Sequence, residues 1–319
     1  IHAVLSTTYK TYTTEGNLNN HIGIPLTLLK IKADAQMAVV EMGANHQREI
    51  AGYCEYVLPT HALINNCGKA HLEGFGGEEG VRKGKGELYD FIRESGNTIF
   101  RNNDFDYLHQ MSAGIQKVIT YGSHVESDYM GRIEDDSKTL NVRMIKGTNL
   151  DIIQTHLVGG YNLPNILAAV SVGKTFGVSD EQIKNALESY MPTNSRSQLL
   201  QRGTCQIVLD AYNANPSSMK LAIENFAAMQ GNDKIMILGA MAELGEASQS
   251  EHEQLVQLMK QYQWKAVVLV GAGFKNCHGD YLYFETSDEA ALWFKAQAPE
   301  HTHILIKGSR SMKMERVLD

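Results

Sequence analysis

The chain has 319 residues, 43% of them apolar and 20% charged, and its 29 basic against 36 acidic side chains leave a formal net charge of −7. That length suits about two domains of ~100 to 200 residues, and the acidic balance, with no Lys/Arg block, leaves no electrostatic footprint for gripping a nucleic acid. No apolar run approaches the ~18 residues of a bilayer span and no signal segment opens the chain, so neither nucleic acid nor membrane is expected as a partner, and the cytoplasm is the expected location.

The first few residues read as the tail of a helix already under way, and a start at Ile1 reads as a fragment. From Ala38 onward short apolar runs alternate with amphipathic stretches: MAVVEMG at 37–43, HALINNC at 61–67, NTIFRNND at 97–104 and KVITYGS at 117–123. With helical patterns such as GVRKGKGELYDFIRES between them, they predict β/α units on a mostly parallel sheet. Between about 124 and 158 the apolar and polar residues alternate across turn-like breaks, which predicts antiparallel strands extending the edge of that sheet. Two helices follow, over YNLPNILAAVSVGKTFG and SDEQIKNALESYM, the second with Ser179 as N-cap. Pro192 stops it, and TNSRS reads as a hinge. The β/α rhythm then restarts through CQIVLDAYNANP, a helix from about 217, DKIMILGAM, a helix from about 250, KAVVLVGAG, a helix over SDEAALWFKAQ, and THILIKGS. The reading is α/β throughout: a mostly parallel domain over 1–192, then a smaller doubly wound, Rossmann-like domain over 193–319, with the cleft between them as ligand site.

Cys54, Cys67, Cys205 and Cys277 lie far apart and form no C-x-x-C unit, so they read as reduced thiols rather than a zinc or redox site. Glu41 ends an apolar run, which places a carboxylate at the C-terminal edge of a parallel strand; it either caps the next turn or serves a hard cation such as Mg²⁺. In NNCGKAHLEGFG a strand end carries Asn65 and Asn66 and a loop carries Lys69, His71 and Glu73. His71, one of twelve histidines, is either a metal or phosphate contact or an ordinary surface residue. Arg82, Lys83, Lys85 and Glu87 fall on a predicted helix, where such a charged face is usually solvated. No G-x-x-x-x-G-K-[ST] loop occurs, and Gly271 and Gly273 in VGAGFKN read as a strand-to-loop turn. Asp210, Tyr212, Asn213 and Asn215 crowd a second sheet edge, at more polar groups than a turn needs. Lys307, Ser309, Arg310, Ser311 and Lys313 stand at a predicted strand-to-helix junction, which is either a solvated basic turn or a seat for a carboxylate or phosphate.

In the order EGNLNNHIGIPLTLL, VVEMGANHQREIA, NCGKAHLEGFG, KGKGELYD, GGYNLPNILAAV, DAYNANPSSM, LGAMAELGE and KGSRSMKMERV, the chain resembles the Mur ligases over nearly its whole length. DAYNANP and KGSRSMKMER point to the members that join D-alanyl-D-alanine to UDP-N-acetylmuramoyl-tripeptide in peptidoglycan synthesis. The resemblance implies an N-terminally truncated central ATP-binding domain over 1–192 and a C-terminal domain over 193–319. The family's phosphate loop would lie just upstream of Ile1, so residues 1–319 alone are expected to lack ligase activity. Alternatives are another Mur-type or folylpolyglutamate-type amino-acid ligase, or a non-catalytic two-domain module.

The resemblance also implies ATP and Mg²⁺ as cofactors, a monomer, and an acyl phosphate attacked by the amine of D-alanyl-D-alanine. By the same resemblance Glu41, His71 and a carbamylated Lys85 would hold Mg²⁺, and Asn17 would approach the phosphates or the muramoyl substrate. Asn162 and Asn165 would contact adenine, Arg196 a phosphate and Asp210 the ribose. Asn213, Lys307, Ser309 and Arg310 would bind substrate, the last three facing the dipeptide or the acyl phosphate.

Overall fold

The computed structural model describes residues 1–69, 72–192, 196–231 and 233–319. The first part of the chain carries strands β1 (Thr11–Thr13), β2 (Met37–Val39), β3 (His61–Leu63), β4 (Thr98–Asn102), β5 (Lys117–Gly122), β6 (Tyr129–Asp135), β7 (Asn141–Lys146) and β8 (Ile152–Gln154). Its helices are α1 (His2–Leu5), α2 (Gly23–Lys30), α3 (Glu49–Val57), α4 (Leu72–Phe75), α5 (Glu78–Ser95), α6 (Asp106–Met111), α7 (Leu163–Thr175) and α8 (Asp180–Ser189). Strands β3 to β6 run parallel, and β7 and β8 continue the same sheet antiparallel. This is the edge extension expected from the alternating pattern.

One expectation is corrected. The run at 37–43 does not join that sheet; β2 pairs in parallel with β1 in a separate two-stranded ribbon. The three-residue β1 has too few residues to show a period, so its claim on β2 was invisible in the sequence.

Helix α7 buries Leu163, Ile166, Leu167, Val170 and Val172, so it lies inside the fold rather than on it. Helix α5 is amphipathic, turning Val81, Leu88, Tyr89 and Ile92 inward. Its Gly84 is a spacing requirement, because a Cβ there would sit 2.4 Å from the ring of buried Phe75. Ser179 caps α8 as expected, in a reciprocal capping box with Gln182.

The second part contains β9 (Gln198–Arg202), β10 (Cys205–Asp210), α9 (Pro216–Ala228), β11 (Lys234–Gly239), α10 (Ser248–Met259), β12 (Ala266–Val270), β13 (Leu282–Phe284), α11 (Ser287–Gln297) and β14 (His303–Lys307). The strand order is β13-β12-β11-β14-β10-β9, parallel except for the edge strand β9. Every residue of β11 is buried, which is why KIMILG reads as a continuous apolar run: helices cover both faces. A second correction concerns the end of the chain. The segment after β14 forms two 3₁₀ turns, Arg310–Met312 and Met314–Leu318, separated by Lys313 in the left-handed region (φ 49°), rather than a helix. Gly271 and Gly273 lie in a strand-to-loop turn, as read. Of the expected hinge, Thr193, Asn194 and Ser195 lie outside the described residues. Cys54, Cys67 and Cys205 are buried free thiols and Cys277 is a half-buried one. Among the described residues no helix is long and apolar enough to cross a membrane.

His252 on α10 is completely buried and fixes the loop after β11. Its Nε2 accepts the Met241 N–H at 3.0 Å while its Nδ1 donates to the Ser248 carbonyl at 2.7 Å, which demands one neutral tautomer. Burial lowers its pKa below the ordinary histidine value of 6.5. A base with a depressed folded pKa contributes stability that is present above the unfolded pKa and is lost as pH falls through the folded one. Urea-unfolding midpoints should therefore decline from pH 7 to pH 5, and His252→Gln, whose amide oxygen can still accept from Met241, should flatten that decline. An equal slope in both proteins would show that the proton goes elsewhere.

Candidate active site

The C-terminal edge of the second sheet gathers its charged residues through register. Strands β10 and β14 are parallel neighbours with Asp210 opposite Lys307. The Lys307 Nζ donates to Asp210 Oδ2 at 2.6 Å and to the Asn213 carbonyl at 3.2 Å, and the lysine is only 2% exposed. The other oxygen, Asp210 Oδ1, accepts the Ser197 N–H at 3.1 Å. Ser197 Oγ in turn shares a 2.9 Å hydrogen bond with the Tyr161 hydroxyl of the first part of the chain. Arg196 stacks its guanidinium over Tyr212, 3.8 Å from the ring centroid. Ser309 is buried and donates to the Ala240 carbonyl at 2.7 Å. Arg310 is exposed and pairs with Glu315 at 2.8 Å. A concavity between the two parts is lined by Gly159, Tyr161, Val208, Phe226 and Leu305.

On the opposing side, the 3₁₀ turn Gly160–Asn162 leads into α7. Buried Asn162 donates to the Val158 carbonyl at 2.9 Å and accepts from exposed Asn165 at 3.0 Å. Further along this part, Glu41 lies two residues past β2 with an exposed carboxylate that accepts from Asn19 Nδ2 at 2.8 Å. Its backbone N–H donates to Thr14 Oγ1 at 2.9 Å. Lys85 on α5 is half-buried and donates to the Asn66 carbonyl at 2.6 Å; burial pulls its pKa below the usual lysine value. Glu87, one half-turn on, accepts from the backbone N–H groups of Arg48 and Ala51 at 2.5 and 3.0 Å and so holds the start of α3.

Comparison with known proteins decides the family. The Mur ligase middle domain matches residues 1–173, and the Mur ligase glutamate ligase domain matches residues 195–310. The chain belongs to the Mur ligase family. It is similar to the UDP-N-acetylmuramoyl-tripeptide--D-alanyl-D-alanine ligase of Escherichia coli, 34% identical over 328 residues that cover 99% of this chain and 72% of that protein. The enzyme of the same name from Bacillus subtilis is 31% identical over 329 residues, covering 100% and 71%. Among solved structures it resembles MurF from Acinetobacter baumannii, with a TM-score of 0.89, 30% identity, and coverage of 99% of this chain and 71% of that one.

Set in this Mur ligase frame, the residues singled out in the sequence fall into three groups. Asp210, Asn213 and Lys307 meet directly, and Arg196 joins them through the segment that reaches Ser197. Asn162 and Asn165 bond to each other, and the neighbouring Tyr161 links them to the Asp210 cluster. Glu41 and Lys85 each have their own partners, while His71 lies outside the described residues. Asn17 is exposed, and its carbonyl accepts the Asn19 N–H at 2.8 Å; the side chain that reaches Glu41 belongs to Asn19. Lys307, expected to face a bound dipeptide, is buried, and its ammonium donates to Asp210 and to the Asn213 carbonyl. Ser309 likewise spends its hydroxyl on Ala240. Sequence reading missed Asn19, Tyr161 and Ser197. Only Asn19 left a signal there, as the second asparagine of EGNLNN.

Removing one partner of a buried ion pair leaves an uncompensated charge, at about 3–5 kcal/mol. Lys307→Met and Asp210→Asn should each lower the unfolding free energy toward that range, whereas Arg310→Ala, at an exposed pair, should change it by less than ~1 kcal/mol. Urea denaturation separates the two, and a Lys307→Met loss no larger than that of Arg310→Ala would refute the structural role of the pair.

Proposed function

We propose that this chain supplies the central and C-terminal domains of an enzyme that joins D-alanyl-D-alanine to UDP-N-acetylmuramoyl-tripeptide at the expense of ATP, in the cytoplasm and as a monomer. The observation that carries the reading is the 34% identity to the Escherichia coli ligase across 99% of the chain. In this reading residues 1–192 form the ATP-binding domain and 193–319 the C-terminal domain.

The reaction makes physical sense of the residues at the cleft. A carboxylate is a poor electrophile, so the γ-phosphoryl group of ATP is first transferred to the tripeptide's terminal carboxylate. The dipeptide amine then attacks the acyl carbon, the C–O bond to phosphate breaks, the amine loses its proton, and ADP and phosphate depart. Asn162 and Asn165 bind the adenine, with Asn165 Nδ2 fixed by Asn162 Oδ1. Asp210 meets the ribose, held in place by Lys307, which acts through Asp210 rather than on substrate. Arg196, stacked on Tyr212, is oriented as a phosphate contact. Asn17, Asn213 and Arg310 meet the muramoyl and dipeptide ends; buried Ser309 anchors the turn that carries Arg310 through the Ala240 carbonyl, and Arg310 offers the exposed cation to the acyl phosphate. Because both parts of the chain contribute, their approach completes the site and keeps water from the acyl phosphate.

For the metal, the donor chemistry fits a hard cation: Glu41 supplies a carboxylate oxygen, and His71 is the second donor of this reading. Among the described residues no three His, Cys, Asp or Glu side chains gather as a ready-made site, so a further anionic donor is needed. Lys85 supplies it as a carbamate, and the depressed pKa from burial raises the fraction of free amine that can add CO₂. Bound Mg²⁺ would neutralise phosphate charge in the cleft.

Mass analysis of the product formed with D-alanyl-D-alanine against single amino acids tests the substrate class; exclusive use of a single amino acid would refute it. Lys85→Ala should lose activity that a short-chain carboxylate partly restores, and wild-type activity without the additive would refute the carbamate. Arg310→Ala should depress ligation by about 10²-fold or more while leaving ATP affinity nearly unchanged; undiminished turnover would remove Arg310 from the site.

A further inference from the structure

The loop between β3 and α4 is held against the second part of the chain by successive contacts unrelated to the nucleotide cluster. The Lys69 N–H donates to Ser217 Oγ at 3.2 Å, at the first turn of α9. The Lys69 Nζ reaches Glu251 Oε1 on α10 at 2.7 Å, with Glu78 of its own side at 3.8 Å. The Glu73 N–H donates to the Glu243 carbonyl at 3.4 Å, and Gly245 packs on the Glu73 side chain. The Glu251 carboxylate is only 10% exposed and Lys69 34%, so this pair is better shielded than most surface ion pairs.

We propose that Lys69 is a positioning residue for the ligation: through Glu251 it ties the β3–α4 loop to the second part of the chain and holds the cleft in its reactive closure. The inference rests on the proposed function only for what the closure serves. His71, assigned above to the metal, is two residues from Lys69 in the sequence. Closure is a two-state equilibrium, and an ion pair formed only in the closed state shifts it by its own free energy.

The test is a charge exchange in the intact enzyme. Lys69→Glu and Glu251→Lys should each lower kcat/KM for D-alanyl-D-alanine about tenfold. The same variants should speed amide hydrogen exchange in residues 66–78 about tenfold, since the Lys69 and Glu73 amides lose their partners across the cleft. The double variant, Lys69→Glu with Glu251→Lys, should bring both readouts back to within about threefold of the parent. Lys69→Met, which keeps the stem and loses the charge, covers the case in which Glu251→Lys fails to fold, and should show the same two losses. Single variants with parental exchange, or a double variant no better than the singles, would overturn the proposal. If the parent makes no product from D-alanyl-D-alanine, the functional reading fails, and the exchange data still decide whether the latch exists.

Discussion

The cleft depends first on the ion pair between Lys307 and Asp210. A lysine with 2% exposure would be intolerable without a counter-charge, and Asp210 supplies it from the last position of the adjacent parallel strand. Both carboxylate oxygens are used, one by the ammonium and one by the Ser197 amide. The pair therefore does more than cancel charge. It pins the segment that enters β9, and through Ser197 and Tyr161 it reaches across to the turn preceding α7. Asn213, whose carbonyl takes a second bond from Lys307, is fixed by the same cation. One buried charge thus sets the geometry of three segments that the sequence spaces up to 146 residues apart, from Tyr161 to Lys307.

The first part of the chain uses a different device. Its polar residues sit on the ends of short elements and on α5, and backbone carbonyls and amides hold them: Lys85 on the Asn66 carbonyl, Glu87 on the amides that open α3, Glu41 on Thr14 through its own N–H. Such bonds leave charges available for ligands, whereas the Lys307–Asp210 pair leaves little.

How much of this could be read from the sequence follows from what sets each feature. The α/β rhythm was legible because parallel strands covered on both faces must be continuously apolar, as in KIMILG, AVVLV and HILIK. Strand β9 was not, since an edge strand with QLLQR carries neither a continuous run nor clean alternation, and β1 and β13 are three residues long. The basic segment after β14 looked helical by composition, but Lys313 at positive φ breaks it into 3₁₀ turns. At the site, residue types and strand-end placement found Asp210, Asn213 and Lys307, whereas Asn162 was reached only through the resemblance to the Mur ligases. The partnership of Asp210 with Lys307 was out of reach, because it is a property of strand register across 97 residues. The same holds for Lys69 and Glu251, 182 residues apart: each is an ordinary surface charge until the fold brings them together.

Among the described residues two polar seams join the parts of the chain, and they differ in kind. The Tyr161–Ser197–Asp210–Lys307 seam runs through neutral hydroxyls into a buried pair, so it is short-ranged and insensitive to salt. The Lys69–Glu251 seam is partly exposed and rests on a full charge pair, so its strength falls as ionic strength rises. A cleft held by both would open first at the second seam while the first acts as the pivot. The side that opens carries Lys69, and the side that pivots carries Tyr161, Ser197 and Asp210. Motion in this sense would let the peptide and phosphate ends exchange while the adenosine end stays seated, an order that suits a reaction in which a labile acyl phosphate must be formed before its acceptor amine arrives and must then be kept from water.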